Sequence, residues 1–114
     1  MAIDTKEIVT YAREMLNGGN CSEIEIRNII NRSYYGAFLT ARDKAGIDNR
    51  SASVHGEVIE FFFKPANNSR IANNLIALKK CRHQADYQPS IDISYQEAKN
   101  CVARAWKIIQ DLNR

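Results

Sequence analysis

The chain has 114 residues, of which 45% are apolar and 25% charged, and its formal net charge is +3. This composition predicts one globular domain over residues 1–114 and excludes intrinsically disordered, collagen-like and low-complexity chains. No apolar run approaches the roughly 20 residues that span a bilayer, and the first residues lack the apolar core of a signal peptide. We therefore expect a soluble cytoplasmic protein that does not associate with membranes.

The first predicted helix begins at Asp4, because Glu7 follows three residues later in a capping-box pattern. It ends at Gly18–Gly19, where glycine adopts the left-handed conformation at low cost. Its apolar residues share one helical face. They are Ile8, Tyr11, Ala12, Met15 and Leu16.

The second predicted helix has the strongest signal. It begins after Ser22, which opens another capping box, and it ends at Gly46. A broad apolar stripe runs from Ile26 to Ala41, while Tyr35 and Leu39 form a smaller apolar patch away from it. A helix with two apolar patches is usually covered on both sides. We expect the second cover to be another helix of the chain or a second subunit, which predicts a homodimer.

Three further helices are predicted. The third begins at Ser53 and stops before Pro65, and the fourth follows the polar connector at residues 67–69 and ends before Pro89. The fifth begins at the capping box of Ser94. No segment alternates long enough to predict a strand. The architecture that follows is an all-α, up-and-down bundle of about five helices.

Familiar catalytic and metal-binding patterns are missing from the chain. It contains no phosphate loop, no dinucleotide fingerprint, no GxSxG and no HExxH. The cysteines Cys21, Cys81 and Cys101 are widely spaced and form no CxxC pair, so neither a disulfide framework nor a zinc site is predicted. Cys81 and Cys101 fall at apolar helical positions and are predicted to be small core residues. We therefore expect no metal and no cofactor.

Basic residues cluster between positions 61 and 85, a stretch that contains no Asp or Glu. A local cationic field of this kind favours binding of a polyanion such as RNA. A solvated basic face that is balanced by acids on other helices is the alternative. The candidate RNA-binding residues are Lys64, Arg70, Lys79, Lys80 and Arg82.

The last turns of the fourth helix carry most of the reactive side chains. Arg82 and Asp86 are spaced i, i+4 and can pair, with the hydroxyl of Tyr87 beside them. The planar guanidinium of Arg82 suits two phosphate oxygens. The same pair could instead serve only to fix the end of the helix. His83, and His55 in the third helix, can act as acid or base near neutral pH.

Three segments resemble HEPN domains. Residues 28–42 look like the second HEPN helix, with its R-[SA]-Y-Y-[AG]-x-F-x-x-A-R pattern. Residues 53–62, which include His55, are similar to the third helix of a small bacterial HEPN subgroup, and residues 82–87 resemble the R-x-x-A-D-Y signature of that subgroup. The other motif residues that this resemblance singles out are Arg32, Tyr34, Tyr35 and Asp86.

The resemblance implies a HEPN-like fold that pairs as a dimer, and a role in toxin–antitoxin systems or antiviral defence. Many members of the family cleave RNA without a metal through an R-x(4–6)-H motif. Arg82 and His83 match its opening, but Tyr87, Gln88 and Pro89 occupy the positions where the closing histidine should stand.

Three interpretations of the function stay open at this point. The first is a HEPN-domain protein that binds RNA and possesses or has lost ribonuclease activity; its catalytic candidates are Arg82, His83, His55 and Tyr87. The second is a non-catalytic HEPN module that pairs with a nucleotidyltransferase antitoxin or another protein. The third is an oligomeric scaffold, which predicts no salt-dependent RNA binding.

Overall fold

A computed structural model describes residues 3–47, 53–64 and 68–113. These residues form five helices and no strand, which confirms the prediction of an all-α bundle of about five helices. The helices are α1 (Lys6–Asn17), α2 (Glu23–Ala45), α3 (Val54–Phe63), α4 (Ser69–Tyr87) and α5 (Tyr95–Leu112).

Local chemistry explains where most of the helices begin and end. The capping box at Ser22 is complete, since its hydroxyl accepts from the N–H of Glu25 at 3.3 Å and its own N–H donates to Glu25 Oε1 at 2.9 Å. Gly46 ends α2 with φ of 72°, a conformation that glycine adopts without a Cβ clash. At the start of α5 the Ser94 hydroxyl accepts from the N–H of Glu97 at 3.2 Å. The capping box of Ser22 and the stop at Gly46 are confirmed, and Ser94 is confirmed as the N-cap of α5 through its hydroxyl, which is one of the two bonds of the predicted box.

The start of α1 differs from the prediction. Asp4 Oδ1 accepts from the nearby N–H of Lys6 at 3.0 Å, so it does not cap the helix through a box with Glu7. The helix begins at Lys6, after Thr5, whose hydroxyl instead bonds to the hydroxyl of Thr40 on α2 at 2.8 Å. At the other end, the glycine pair terminates α1 as predicted. The predicted stop at Pro65 and the connector residue Asn67 lie outside the described residues.

Helix α2 lies at the centre of the bundle and contacts each of the other four helices. Its crossing with α1 is close because position 36 is glycine. A Cβ added to Gly36 would lie 2.5 Å from Val9 Cγ2 and 3.0 Å from the Val9 backbone nitrogen. The largest fully buried apolar side chains come from all five helices, and they are Tyr34, Ile29, Ile30, Leu75, Leu78, Ile108, Ile109, Val9 and Val58.

Tyr35 and Leu39, the smaller apolar patch of α2, are partly buried against this core. The ring of Tyr35 lies 6.3 Å from that of His55 on α3, and the guanidinium carbon of Arg82 on α4 lies 5.6 Å from its centroid. Helices of the same chain therefore supply part of its cover, while the predicted homodimer stays a prediction.

The C-terminus of α4 is held by a buried arginine from α2. Arg27, 9% exposed, donates to the carbonyl oxygen of Ala85 at 3.0 Å and to that of Ile91 at 2.6 Å. Three longer bonds, of 3.3 to 3.4 Å, reach further carbonyls around the same helix end. The last carbonyls of a helix lack partners within it and carry partial negative charge, so a cation there is favourable. Arg27 thereby fixes the end of α4 that carries Asp86 and Tyr87.

No helix within the described ranges is both long enough and apolar enough to cross a membrane.

Candidate functional site

The candidate site lies where α2, α3 and α4 meet. Tyr34 of α2 is fully buried, and its hydroxyl is hydrogen-bonded to Nδ1 of His55 in the first turn of α3. The imidazole of His55 stacks on the ring of Phe38, with 4.2 Å between centroids. The motif residue Tyr34 and the candidate catalytic residue His55 are therefore in direct contact, although 20 or so residues separate them in the chain.

Burial shifts the pKa values of both groups. It raises the pKa of Tyr34, so the phenol keeps its proton at neutral pH. Burial also lowers the pKa of His55, and the cations of Lys79 and Arg82 lower it further, which favours the neutral imidazole. The hydrogen bond between Tyr34 and His55 therefore joins two uncharged groups.

Arg82 occupies the centre of the cluster. Its guanidinium carbon lies 5.3 Å from the ring centroid of Tyr34 and 5.9 Å from that of Tyr87. Its NH1 atom lies 3.6 Å from Asp86 Oδ2, so the predicted i, i+4 pair is confirmed. The amide of Asn31 on α2 donates to the same Asp86 oxygen at 2.9 Å. Aromatic rings and a carboxylate thus hold the guanidinium in one orientation.

The side chain of Arg82 is only 11% exposed, and its Nε atom is buried without a hydrogen-bond partner among the described residues. Most of the side chain is therefore enclosed. Because the residue is pre-oriented, an anion that binds it would not have to order a flexible side chain.

Arg82 also lines a shallow depression on α4 with a volume of about 400 Å³. Among the residues that the structure describes, no carboxylate lines it. Three basic side chains, one histidine, two glutamines and the exposed Ile76 surround it. The other lining residues are Lys79, Lys80, Arg82, His83, Gln84 and Gln88.

His83 and Tyr87 form the outer part of the cluster. Their ring centroids lie 5.1 Å apart, and Tyr87 is 64% exposed. His83 lines the depression, whereas His55 contacts Tyr34 and Phe38.

The structure does not bring all the predicted basic residues to this place. Lys64 follows the end of α3, with its Nζ 6.0 Å from the ring centroid of Phe61. Arg70 lies in the first turn of α4, 4.0 Å from the buried carboxylate of Asp111. At 1.5 Å rise per residue, Arg70 is about 18 Å from Arg82 along the helix. The stretch free of acids is therefore not one continuous patch.

Arg32, another motif residue, lies outside the cluster. It is exposed and lines a groove between α1 and α2 beside Glu7 and Tyr11.

The sequence analysis missed several members of the site. Asn31 of α2 donates to Asp86 of α4. Gln84 and Gln88 follow Lys80 at intervals of four residues, a spacing that places the three side chains on one side of the helix. That helical spacing is a signal that would have found the two glutamines. Nothing in the sequence marked Asn31 as the partner of Asp86, because 55 residues separate them.

The chemistry of the cluster is that of an anion site. In the ranges that the structure describes, no group of three or more His, Cys, Asp or Glu side chains is placed to hold a metal ion. Three cations with adjacent hydrogen-bonding groups can bind phosphate without one. His83 adds an imidazole that can donate or accept a hydrogen bond.

No family model matches the chain, and neither the curated proteins nor the solved structures provide a match. The resemblance to HEPN domains therefore rests on the sequence motifs and their order.

Proposed function

We propose that this chain is a HEPN-like domain that binds RNA through the depression on α4. The observation that carries the proposal is the composition of the depression, which Lys79, Lys80 and Arg82 line without a carboxylate from any residue in the described ranges. Phosphate neutralisation by lysine and arginine supplies most of the affinity of proteins for nucleic acid. The order of the three HEPN-like motifs supports the choice of RNA as the polyanion.

The neighbouring side chains suit a single strand. Ile76, 43% exposed, and Tyr87, 64% exposed, flank the cations on the same helix and offer apolar surfaces for a ribose or base. Gln84 and Gln88 can accept from or donate to the 2′-hydroxyl, which distinguishes RNA from DNA.

Binding is tested by fluorescence anisotropy with a single-stranded RNA between 50 and 200 mM salt. Three phosphate contacts predict a slope of log K against log salt of about −2 for a single strand. The double variant Lys79→Ala/Lys80→Ala should weaken binding and reduce the slope to about −0.7. The matched control, Lys44→Ala/Lys99→Ala, removes the same charge from exposed positions outside the depression.

Equal effects of the two double variants would show that only net charge matters and would refute the assignment of the depression. Absence of salt-dependent binding by the unmodified chain would refute the proposal as a whole and favour the scaffold interpretation.

Metal-independent cleavage is the second candidate function, and the observation that favours it is the position of His83 beside Arg82 in the depression. Cleavage requires deprotonation of the 2′-hydroxyl, protonation of the leaving 5′-oxygen and stabilisation of charge on phosphorus. In this mechanism Arg82 stabilises the charge and His83 acts as the base. The proton donor is the Tyr87 hydroxyl.

The cleavage assay uses the full chain and RNA in EDTA. Arg82→Lys keeps the charge but loses the planar fork, and His83→Gln keeps hydrogen bonding but loses the imidazole that serves as the base. Both should abolish cleavage and leave most of the binding. Cleavage that survives both substitutions would exclude this assignment of catalytic residues.

The biological setting follows from the HEPN resemblance and is part of the same proposal. We propose that the chain acts in the cytoplasm, in a toxin–antitoxin or antiviral-defence role. We also propose that it forms a homodimer and has a nucleotidyltransferase as its partner. Light scattering at micromolar concentration tests the dimer, and the identity of the adjacent reading frame tests the partner. If the chain binds RNA or a partner protein but does not cleave RNA, it is a non-catalytic HEPN-like module.

A further inference from the structure

Helices α4 and α5 pack in antiparallel orientation and leave a groove between them. Arg70 near the start of α4 lies 4.0 Å from the carboxylate of Asp111 near the end of α5. One turn further along α4, Asn74 accepts from Arg104, which lies earlier on α5. The groove has a volume of about 360 Å³ and shares no lining residue with the depression among the residues described. Its lining residues are Asn74, Asn100, Ala103, Arg104 and Lys107.

Cations outnumber carboxylates around this groove. The side chain of Asp111 is 0% exposed, and the charged groups of Arg70 and Lys107 lie 4.0 and 3.7 Å from it. Arg104 is exposed and donates to a neutral amide, that of Asn74, at 3.0 Å. In the described ranges no carboxylate lines the groove itself. Three cations thus meet one buried carboxylate, which leaves an excess of two positive charges.

The neutral polar groups of the groove offer hydrogen-bond donors. Arginine can only donate, so the bond from Arg104 engages the oxygen of Asn74 and leaves the NH2 group of that amide as the donor. The oxygen of Asn100 accepts from the amide of Gln96 at 2.9 Å, which likewise leaves an NH2 group to donate. Cations together with N–H donors are the chemistry that binds phosphate oxygens.

The surface of α4 connects the groove with the depression. Asn74, Ala77 and Lys80 follow one another at intervals of three residues, a spacing that makes them successive neighbours on a helix. Asn74 lines the groove and Lys80 lines the depression, and at 1.5 Å rise per residue they are about 9 Å apart along the axis. Ala77 between them has a small side chain, and α4 has no acidic residue before Asp86. No carboxylate of this helix therefore interrupts the path between the two cavities.

We propose that a single RNA strand bound in the depression continues over Ala77 into the groove between α4 and α5. There its phosphates contact Arg104, Lys107 and the amide of Asn74. This inference rests on the proposed function and adds a second part to its binding surface. Arg70, too far from the depression to belong to it, lies at the far end of the groove and extends the cationic path. Phosphate contacts carry no sequence information, so the groove should raise the affinity for RNAs of different sequence alike.

The salt dependence of binding tests this by counting the phosphate contacts. The three cations of the depression predict a slope of log K against log salt of about −2, and two further contacts in the groove make it about −3.5. An RNA of about four nucleotides should occupy the depression, which has more cations, and give the smaller slope. An RNA of about twelve nucleotides should reach both cavities and give the steeper one. Fluorescence anisotropy with the full-length chain measures both slopes.

Two variants and one control locate the additional contacts. Arg104→Gln removes one phosphate contact, and Asn74→Asp keeps the size of the side chain but places a carboxylate beside Arg104. Each should reduce the steepness of the slope for the longer RNA by about 0.7 and leave the slope for the short RNA unchanged. The matched control Arg32→Gln also lowers the net charge by one unit, at an exposed position outside both cavities, and should change neither slope.

Asn74→Asp also distinguishes binding of RNA from a purely structural role. An aspartate accepts from Arg104 at least as well as an amide oxygen does, so a structural contact would survive this substitution. Urea unfolding should therefore show a variant as stable as the parent chain, while its affinity for the longer RNA falls. Unchanged affinity in this folded variant would contradict the inference.

The outcomes separate this inference from the proposed function. If both groove variants bind the longer RNA with the slope of the Arg32→Gln control, the strand does not enter the groove, whereas a reduced slope in Lys79→Ala/Lys80→Ala would still support the depression. Equal slopes of the parent chain for the short and the longer RNA would overturn the continuous path. A parent chain without salt-dependent RNA binding would overturn the proposed function and the role of the groove with it.

Discussion

Arg27 provides the sharpest test of how the bundle holds the end of α4. Its guanidinium donates to five backbone carbonyls, but only the bonds to Ala85 and Ile91, at 3.0 and 2.6 Å, are short. The other three exceed 3.2 Å and contribute little. The Arg27→Ala substitution removes all of them at once and leaves the last carbonyls of α4 without the charge that faces them.

The size of the effect follows from the two short bonds. A hydrogen bond from a charged group contributes about 1.5–3 kcal/mol net, so two of them represent about 3–6 kcal/mol. Water can reach the partly buried Ile91 carbonyl once the arginine is gone, which favours the lower limit. We expect Arg27→Ala to lower the free energy of unfolding by about 3 kcal/mol, and the melting temperature by about 12 °C for a domain of this size.

Urea unfolding followed by circular dichroism measures this difference. Arg27→Lys keeps the charge but offers a point donor instead of a fork, so it should lose about half as much stability. The control is Arg32→Ala on the same helix, where the side chain is exposed and the loss should stay below about 0.5 kcal/mol. If Arg27→Ala and Arg32→Ala lose the same amount, the carbonyls of α4 do not depend on the guanidinium and the reasoning is wrong.

The remaining predictions concern the α1–α2 crossing and the histidine of the site. Gly36→Ala should destabilise the fold by about 1–2 kcal/mol in urea unfolding, because the strain of a Cβ against Val9 exceeds the gain of up to about 1 kcal/mol in helix propensity. A variant as stable as the parent would show that α1 can move away freely. Burial holds the pKa of His55 in the folded chain below 6.5, the value of an unperturbed histidine. Neutral His55 therefore adds to the free energy of unfolding, and this contribution is complete above pH 6.5 and is lost as the pH falls through the folded pKa. Unfolding at pH 7.5 and pH 5 should therefore show a smaller acid loss in His55→Gln than in the parent; equal losses would contradict this linkage. Lys79→Ala removes a cation that repels protonated His55, so it should raise the His55 pKa in a ring-proton NMR titration, and an unchanged pKa would exclude this interaction.

The contacts that could be predicted from the sequence are those that span a few residues. The capping box of Ser22, the left-handed Gly46 and the pair of Arg82 with Asp86 each involve groups within four residues of one another. Helical geometry alone brings such groups together, whatever the rest of the chain does. Asp4 shows the limit even here, because two local acceptor arrangements compete and the nearer N–H, that of Lys6, prevails.

The site itself depends on contacts between distant segments. Amphipathic patterning on every helix was enough to predict an all-α bundle, because each apolar stripe must be buried against another. It does not determine which helices are neighbours or in what register they pack. Only the packing of α2 against α3 and α4 brings Tyr34 to His55 and Asn31 to Asp86. The same packing separates Arg70 from Arg82, since a helix keeps residues twelve positions apart at opposite ends however they are grouped in the sequence.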